Sequence, residues 1–200
     1  MSDSTSPFEL FDELRIIAHN GLAYADDPYD RERYERLEEL TSEWYGRTLE
    51  IDPETVSERF RTELGHITPK VSADAAIINE DGELLLQRRI DDDSWCLPGG
   101  YTEPGESPAD TAVREANEET GLVVHTESLA TVYTRRPAEH TGPHGLVGHV
   151  YLCSVTGGEL SVSHEGSALA YRDPSSVDLW HANHKTLATD ALAAANANRR

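Results

Sequence analysis

Positive charge is scarce in this sequence, and lysine is almost absent. The 200 residues contain 17 Lys and Arg against 37 Asp and Glu, which gives a formal net charge of −20, and Lys70 and Lys185 are the only lysines. Faces that bind nucleic acid or anionic lipid need concentrated positive charge, so the composition argues against both partners. An acid-rich, lysine-poor surface suits a cytoplasm with molar salt, where a Debye length of roughly 3 Å screens like charges. We therefore expect a halophilic protein.

Cysteine and long hydrophobic runs are equally scarce. Cys96 and Cys153 are the only cysteines, in a chain large enough to fold without a disulfide, which favours free thiols in a reducing cytosol. The N-terminal segment is acidic and lacks the uninterrupted apolar stretch of a signal peptide. No apolar run approaches the ~20 residues that cross a bilayer. These absences predict a cytoplasmic protein with no membrane partner.

The first 66 residues have the pattern of a small N-terminal helical domain with three helices. Asp27-Pro28 and Asp52-Pro53 are helix starts, because Asp caps a helix and Pro fits its first turn. Gly21 predicts the end of the preceding helix. Three short helices bury little surface by themselves, so we expect them to pack on the rest of the chain or on a second subunit. This predicts a homodimer formed through the helices.

Residues 67–200 change to the pattern of an α/β domain. Val71–Ile78 and Glu83–Arg89 read as strands joined by a hairpin turn at residues 79–82. A helix is predicted from Pro108 to Thr120, ended by Gly121. Other extended segments are predicted at Trp95–Leu97, Leu129–Thr134 and Gly148–Val155, then a last strand after Glu165, and a terminal helix at His184–Ala195 before a frayed end, Asn196–Arg200. This order of elements predicts a mixed sheet flanked by helices.

The predicted helix carries a cluster of carboxylates that packing does not explain. Glu115, Glu118 and Glu119 occupy positions i, i+3 and i+4, so they project from one face, where like charges destabilise a helix. A divalent cation relieves this repulsion, and Mg²⁺ prefers carboxylates, water and substrate phosphates. Gly99 and Gly100 have no Cβ, so their backbone can approach the ion and offer a carbonyl. The pattern predicts a cation that activates water for attack on a phosphoryl group.

Residues 100–121 as a whole follow one spacing: Gly, five residues, Glu, seven residues, Arg-Glu, two residues, Glu-Glu, one residue, Gly. This segment resembles the Nudix box of metal-dependent hydrolases. Ala116 replaces the bulkier aliphatic residue usual in the family, which puts only local packing in doubt. Leu84–Arg89 and Trp95–Gly100 also resemble the segments that precede the box. The resemblance covers roughly residues 70–175.

The resemblance implies a Nudix fold, in which a mixed β-sheet lies between helices, and a role for each residue of the box. It implies three carboxylate ligands for Mg²⁺, with Mn²⁺ as the alternative: Glu115, Glu118 and Glu119. A carbonyl of Gly99 or Gly100 completes the protein's share of the ligands. Arg114 orients the carboxylates and can hold Glu106 bidentately, and Glu106 and Gly121 are structural members.

Residues near the box are predicted to complete catalysis and substrate binding. The general base varies in the family, and Glu115 and Glu165 are alternative candidates. The catalytic candidates are therefore Glu115, Glu118, Glu165 and Arg114. The candidates for contact with substrate are Arg88, Arg89, Arg135 and Tyr101. Strand-end arginines are commonly solvated and tyrosines often belong to a rim, so a purely structural role for each stays open.

The N-terminal section resembles the helical domain of one Nudix subgroup, similar to ADP-ribose pyrophosphatases and CDP-choline pyrophosphatases. The matching segments are Asn20–Tyr24, Asp27–Asp30, Arg33–Leu37 and Thr68–Val71. The resemblance implies cleavage of a nucleoside diphosphate linked to another group, with ADP-ribose as the leading substrate and a CDP-alcohol as the alternative. The rival readings are a pyrophosphohydrolase of oxidised nucleoside triphosphates and a non-catalytic nucleotide-binding regulator, which the intact glutamate set disfavours. The expected partner is thus a small-molecule nucleotide.

Overall fold

The chain forms two compact units. The computed structural model describes residues 7–62, 67–136 and 144–198. The first unit contains residues 7–62 and 67–69 together with 135, 136, 144 and 145, and the second contains residues 70–134 and 146–198. The domain boundary between residues 66 and 67 stays a prediction. Sequence order does not indicate that residues 135, 136, 144 and 145 belong with the N-terminal helices.

Three helices build the first unit: α1 (Pro7–Tyr24), α2 (Pro28–Leu49) and α3 (Pro53–Arg61). The Asp27 carboxylate accepts the backbone N–H groups at positions 29 and 30, and Asp52 accepts the N–H of Thr55. Both caps satisfy N–H groups that the first helical turn leaves without partners. The two helix starts predicted from Asp-Pro pairs are confirmed.

The end of α1 differs from the prediction. Gly21 lies inside the helix, which continues to Tyr24. A Cβ at Gly21 would come within 2.4 Å of the Tyr34 ring on α2. The glycine therefore serves the close approach of α1 and α2, and it does not end the helix. The core of the unit consists of Phe11, Tyr45, Val56 and Phe60.

The second unit contains seven strands and two helices. They are β1 (Lys70–Ile77), β2 (Leu84–Arg89), β3 (Trp95–Cys96), β4 (Gly99–Tyr101), α4 (Pro108–Thr120), β5 (Leu122–Arg135), β6 (Leu146–Gly158), β7 (Gly166–Arg172) and α5 (His184–Asn198), with a 3₁₀ turn at Pro174–Ser176. The strands form a four-stranded sheet, β4-β1-β6-β5, and a three-stranded sheet, β3-β2-β7. β1 pairs parallel to β6 and antiparallel to β4. The mixed α/β architecture is confirmed.

The turn between β1 and β2 forms, but the predicted hairpin does not. Gly82 has a φ of 84°, and its N–H donates to the Asn79 carbonyl. Only one bridge, Ile78 to Leu84, joins the two segments before they separate into different sheets. β1 already pairs with β4 and β6, and β2 with β3 and β7, so neither strand has a free edge for the other.

Three other boundaries depart from the sequence prediction. β5 begins at Leu122, directly after α4, because alternating buried and exposed residues extend the strand pattern toward the helix. The Gly99–Tyr101 segment forms a short strand of its own. α5 continues to Asn198, so Asn196–Asn198 are helical.

Both cysteines are free thiols and buried. None of the helices in the described residues is long and apolar enough to cross a membrane.

Gly121 ends α4 in the left-handed conformation, with a φ of 75°, and its N–H donates to the Asn117 carbonyl. A Cβ there would lie 2.4 Å from the Glu159 carbonyl oxygen. We expect Gly121→Ala to lower the free energy of unfolding by roughly 2–3 kcal/mol, because backbone strain and a backbone clash combine. Urea denaturation measures this loss. Gly82→Ala is the matched control, since Gly82 also has positive φ but open space around it. Equal losses in the two variants would contradict the clash.

Candidate active site

The sequence around α4 fixes where the acidic helix begins. The Ser107 hydroxyl accepts the Asp110 N–H at 3.2 Å, and the Asp110 carboxylate accepts the Ser107 N–H at 2.9 Å. This capping box, with Pro108 in the first turn, satisfies N–H groups that would otherwise lack partners. The helix start sets the rotation of the three glutamates that follow about two and three turns later.

Arg114 lies at the centre of the acidic residues. Its Nε and one terminal nitrogen donate to the two oxygens of Glu106, at 2.7 and 3.1 Å. Its other terminal nitrogen donates to Glu115 at 2.8 Å and to Glu118 at 3.1 Å. The Tyr101 carbonyl accepts a further bond at 3.0 Å. The rigid guanidinium fork therefore sets the distances among three carboxylates, as predicted for Glu106.

The Glu106 carboxylate is held as an anion. Its hydrogen bonds with Arg114, with the Glu103 N–H and with the Thr111 hydroxyl lower its pKa to about 2. In turn, Glu106, Glu115 and Glu118 raise the pKa of Arg114, and the bond with Glu106 is the largest cause. The pair therefore stays charged throughout the neutral range, and it anchors the turn before α4 to the middle of the helix.

Glu119 is the buried member of the cluster, with only 7% of its surface exposed. The Gly99 N–H donates to one carboxylate oxygen at 2.9 Å, and Gln87 Nε2 donates to the other at 3.1 Å. Burial raises the pKa of Glu119 to about 8, and repulsion from Glu115 and Glu165 adds to the rise, against the two hydrogen bonds. A cation beside the Glu119 carboxylate would stabilise its ionised form and lower this pKa.

Glu115 lies against the glycine backbone. A Cβ at Gly100 would come within 2.2 Å of Glu115 Oε1, so a larger residue there would displace the carboxylate from its present position. Burial raises the pKa of Glu115, Arg114 opposes the rise, and Glu118 and Glu165 add to it. Glu118 is different, because 58% of its side chain is exposed. One glutamate is thus buried, one half-enclosed and one open to solvent.

The donor set fits a divalent cation. Within residues 7–62, 67–136 and 144–198, no three Asp, Glu, His or Cys side chains are close enough together to enclose an ion as they stand. Arg114 holds Glu115 and Glu118, whereas Gly99 and Gln87 hold Glu119, so the protein's own donors compensate the charges. Carboxylate oxygens and glycine carbonyls are the ligands that hard cations prefer. The missing Cβ at Gly100 lets the Glu115 carboxylate lie directly against the backbone.

Glu165 and Tyr101 are two further residues that the sequence predicts to act at the site. Burial is the main cause of the raised pKa of Glu115 and of Glu119, and the negative charge of Glu165 adds a smaller contribution to both. The Glu165 carboxylate therefore acts on the two glutamates by charge repulsion. It is 63% exposed and directly precedes β7. Tyr101 ends β4 with 54% of its surface exposed. Both roles stay predictions.

The candidate arginines have protein partners. Arg88 bonds to the Asp93 carboxylate at 2.5 Å, and Arg89 holds both oxygens of Asp91 at 2.9 and 2.6 Å. Arg135 is buried and belongs to the first unit. Contact of these residues with substrate stays a prediction. To bind Arg88 or Arg89, a substrate phosphate would have to displace the carboxylate of Asp93 or Asp91.

Sequence reasoning missed Gln87. It is 1% exposed inside β2, directly after three buried leucines. An amide within a buried apolar run is the signal that could have revealed it, because a buried polar group needs a specific partner. That partner is Glu119, 32 residues away in sequence.

Comparison with known proteins agrees with this geometry. Residues 68–193 match the NUDIX domain, and residues 7–60 match a UDP-X-like N-terminal oligomerisation domain. The Bacillus subtilis protein YjhB, named provisionally as an ADP-ribose pyrophosphatase, is 36% identical over 78% of this chain and 74% of its own length. An ADP-ribose pyrophosphatase of Methanocaldococcus jannaschii is 29% identical over 64% of this chain and 75% of its own.

Two solved structures are similar over the same regions. A UDP-X diphosphatase has a TM-score of 0.56 and 27% identity, covering 96% of this chain and 94% of its own. An ADP-ribose pyrophosphatase from Streptococcus suis has a TM-score of 0.55 and 26% identity, covering 64% and 92%. Together with the complete acidic box and its supporting arginine, these matches show that the chain is a pyrophosphohydrolase that belongs to the Nudix family.

Proposed function

We propose that this enzyme hydrolyses a nucleoside diphosphate linked to a second group, with Mg²⁺ held by Glu115, Glu118, Glu119 and a carbonyl of Gly99 or Gly100. The observation that carries this proposal is that Glu119 accepts the Gly99 N–H and Glu115 lies against Gly100, while Arg114 joins Glu115 to Glu118. The ion, when bound, neutralises charge on the phosphate oxygens and lowers the pKa of water. Water adds to one phosphorus, the bridging P–O bond breaks, and two phosphorylated products leave.

The chain's own residues place and deprotonate the reactants. Arg114 keeps Glu115 and Glu118 at fixed distances through its fork. Glu115 is a candidate general base, since its raised pKa brings proton transfer closer to neutral pH. Glu165 is the second candidate, because it is exposed beside the cluster. If Glu165 is the base, Glu165→Gln lowers kcat at saturating Mg²⁺ by roughly 100-fold or more.

ADP-ribose is the substrate that the relatives support most. Proteins named ADP-ribose pyrophosphatase match this chain in two comparisons, the Methanocaldococcus protein over 129 residues and the Streptococcus structure over 92% of its length. Hydrolysis of ADP-ribose gives AMP and ribose 5-phosphate. The acidic surface requires that the ion and the site's own cations screen the substrate's negative charge.

A UDP-linked substrate is the second candidate. The UDP-X diphosphatase is similar over nearly the whole chain, and the N-terminal helices match a UDP-X-like domain. The helices are the part of the chain that separates this subgroup from single-domain relatives. This observation favours a nucleoside diphosphate over a triphosphate, whichever base is attached.

A substrate panel decides among these possibilities. The enzyme with Mg²⁺ is given ADP-ribose, a UDP-sugar, CDP-choline and oxidised dGTP, and products are separated by chromatography. We expect nucleoside monophosphate plus a phosphorylated second product, with the highest kcat/KM for ADP-ribose. Release of pyrophosphate from oxidised dGTP as the fastest reaction would contradict the proposal. No turnover of any substrate, with Mg²⁺ bound, would favour a nucleotide-binding regulator.

We also propose that the protein is a homodimer and halophilic. The match to an oligomerisation domain and the exposed Leu10, Ile17 and Trp44 on α1 and α2 support association through the helices. Light scattering at micromolar concentration should give twice the 22.1 kDa chain mass, and a monomer would contradict it. Activity that falls in dilute buffer and returns in molar KCl would support the high-salt origin, and we propose the cytoplasm as the location of the protein.

A further inference from the structure

Gln87 is a fully buried amide in the central strand of the three-stranded sheet. It is 1% exposed and follows Leu84, Leu85 and Leu86, none of which is exposed. An apolar residue in the same place would avoid the desolvation of an amide. The position therefore carries a polar group at an energetic disadvantage unless that group has a specific task.

One end of the amide fixes the buried glutamate. Gln87 Nε2 donates to Glu119 Oε1, and the Gly99 N–H donates to Glu119 Oε2. Each carboxylate oxygen thus receives one donor, and the two bonds together fix the orientation of the carboxylate. When Glu119 is ionised, the reverse orientation of the amide would place its oxygen against a carboxylate oxygen, so the Nε2 donor faces Glu119.

The other end of the amide faces the start of β7. Gln87 Oε1 is buried and has no hydrogen-bond partner within the described part of the chain. A Cβ at Gly166 would lie 3.0 Å from this oxygen. Gly166 pairs with Arg89 across a bulge at Arg88 and Arg89, and it follows Glu165 directly. The Gln87 amide therefore lies between Glu119, which is buried, and the segment that carries Glu165, which is exposed.

We propose that Gln87 is a positioning residue for the divalent cation: through the bond from its Nε2 it holds Glu119 in the orientation that receives the ion. Groups that orient a metal ligand commonly change metal affinity by roughly 10–100-fold when they are replaced. The proposal rests on the metal site of the proposed function.

The direct test replaces Gln87 by methionine, which keeps the length of the side chain and removes both polar atoms. Mn²⁺ binding is measured by electron paramagnetic resonance on the full chain without substrate, with Glu119→Gln defining binding outside the site. We expect Gln87→Met to bind Mn²⁺ roughly tenfold more weakly. Turnover should fall at low Mn²⁺ and return to near the wild-type rate at saturating Mn²⁺, which a general structural defect would not allow.

Two further variants keep the test decisive. Gly166→Ala retains the amide but presses on Oε1, so we expect a smaller loss of Mn²⁺ affinity in the same direction, and this variant decides if Gln87→Met does not fold. Val56→Ala, a buried change in the core of the first unit, should lower thermal stability without changing Mn²⁺ affinity. Wild-type Mn²⁺ binding in Gln87→Met, or in Gly166→Ala if only that variant folds, would overturn the proposal. Because the isotherm needs no substrate, failure of the substrate assignment leaves this result intact.

Discussion

The Glu119→Gln enzyme is expected to turn over substrate roughly 1,000-fold more slowly than the wild-type enzyme, because loss of a carboxylate ligand removes several kcal/mol of charge stabilisation in the transition state. The fold should survive. Gln is neutral and nearly the same shape as the protonated Glu that burial favours when no cation is present. Steady-state kinetics at saturating Mg²⁺ measure the change, and kcat within tenfold of wild type would contradict a ligand role for Glu119.

The same variant should remove a pH dependence of stability in the metal-free protein. Burial raises the pKa of Glu119 from its ordinary value of 4.5 to about 8. The neutral carboxyl therefore stabilises the fold fully below the ordinary pKa, and that stability is lost as the pH rises through about 8. Melting curves in EDTA between pH 5 and 9 should show a steeper decline for wild type than for Glu119→Gln. Parallel curves would mean that the carboxyl is not desolvated.

Arg114→Lys is expected to lower turnover by roughly 10–100-fold at limiting Mg²⁺, although the charge is retained. A lysine ammonium is a point charge and cannot bond at once to Glu106, Glu115, Glu118 and the Tyr101 carbonyl, which the arginine fork reaches at 2.7 to 3.1 Å. The carboxylates would then lose their fixed separation. The half-saturating Mg²⁺ concentration should rise more than kcat falls.

Arg36→Lys provides the matched control for the arginine prediction. Arg36 pairs with Glu39 on α2 at 2.9 Å, with 64% of its side chain exposed. Exposed pairs of this kind contribute little, so activity and stability should stay at the wild-type level.

A double-mutant cycle of Arg114→Lys with Glu106→Gln should show strong non-additivity. Additive losses would mean that Arg114 acts on the cation site without the Glu106 anchor.

The acidic helix shows how far local sequence reaches. Its start at Pro108, its end at Gly121 and the shared face of Glu115 and Glu119 follow from capping residues, glycine conformation and helical period. The same signals fail at Gly21, where the glycine permits two helices to approach, and at residues 79–82, where a correct turn joins strands of different sheets. A local signal specifies the backbone conformation of a few residues but does not specify which helix packs against them or which strand pairs with them.

The sequence by itself determined the chemistry: a complete box with an arginine and three glutamates at helical spacing identifies a cation-assisted phosphoanhydride hydrolase. Only the tertiary structure decided how differently those glutamates are placed, with Glu119 buried, Glu115 against Gly100 and Glu118 open to solvent. It also decided that Gln87 and Gly99 hold Glu119, across 32 and 20 residues of sequence. The physical reason is that helical period acts within a few residues, whereas burial and hydrogen-bond partners depend on which strands pair across the sheet.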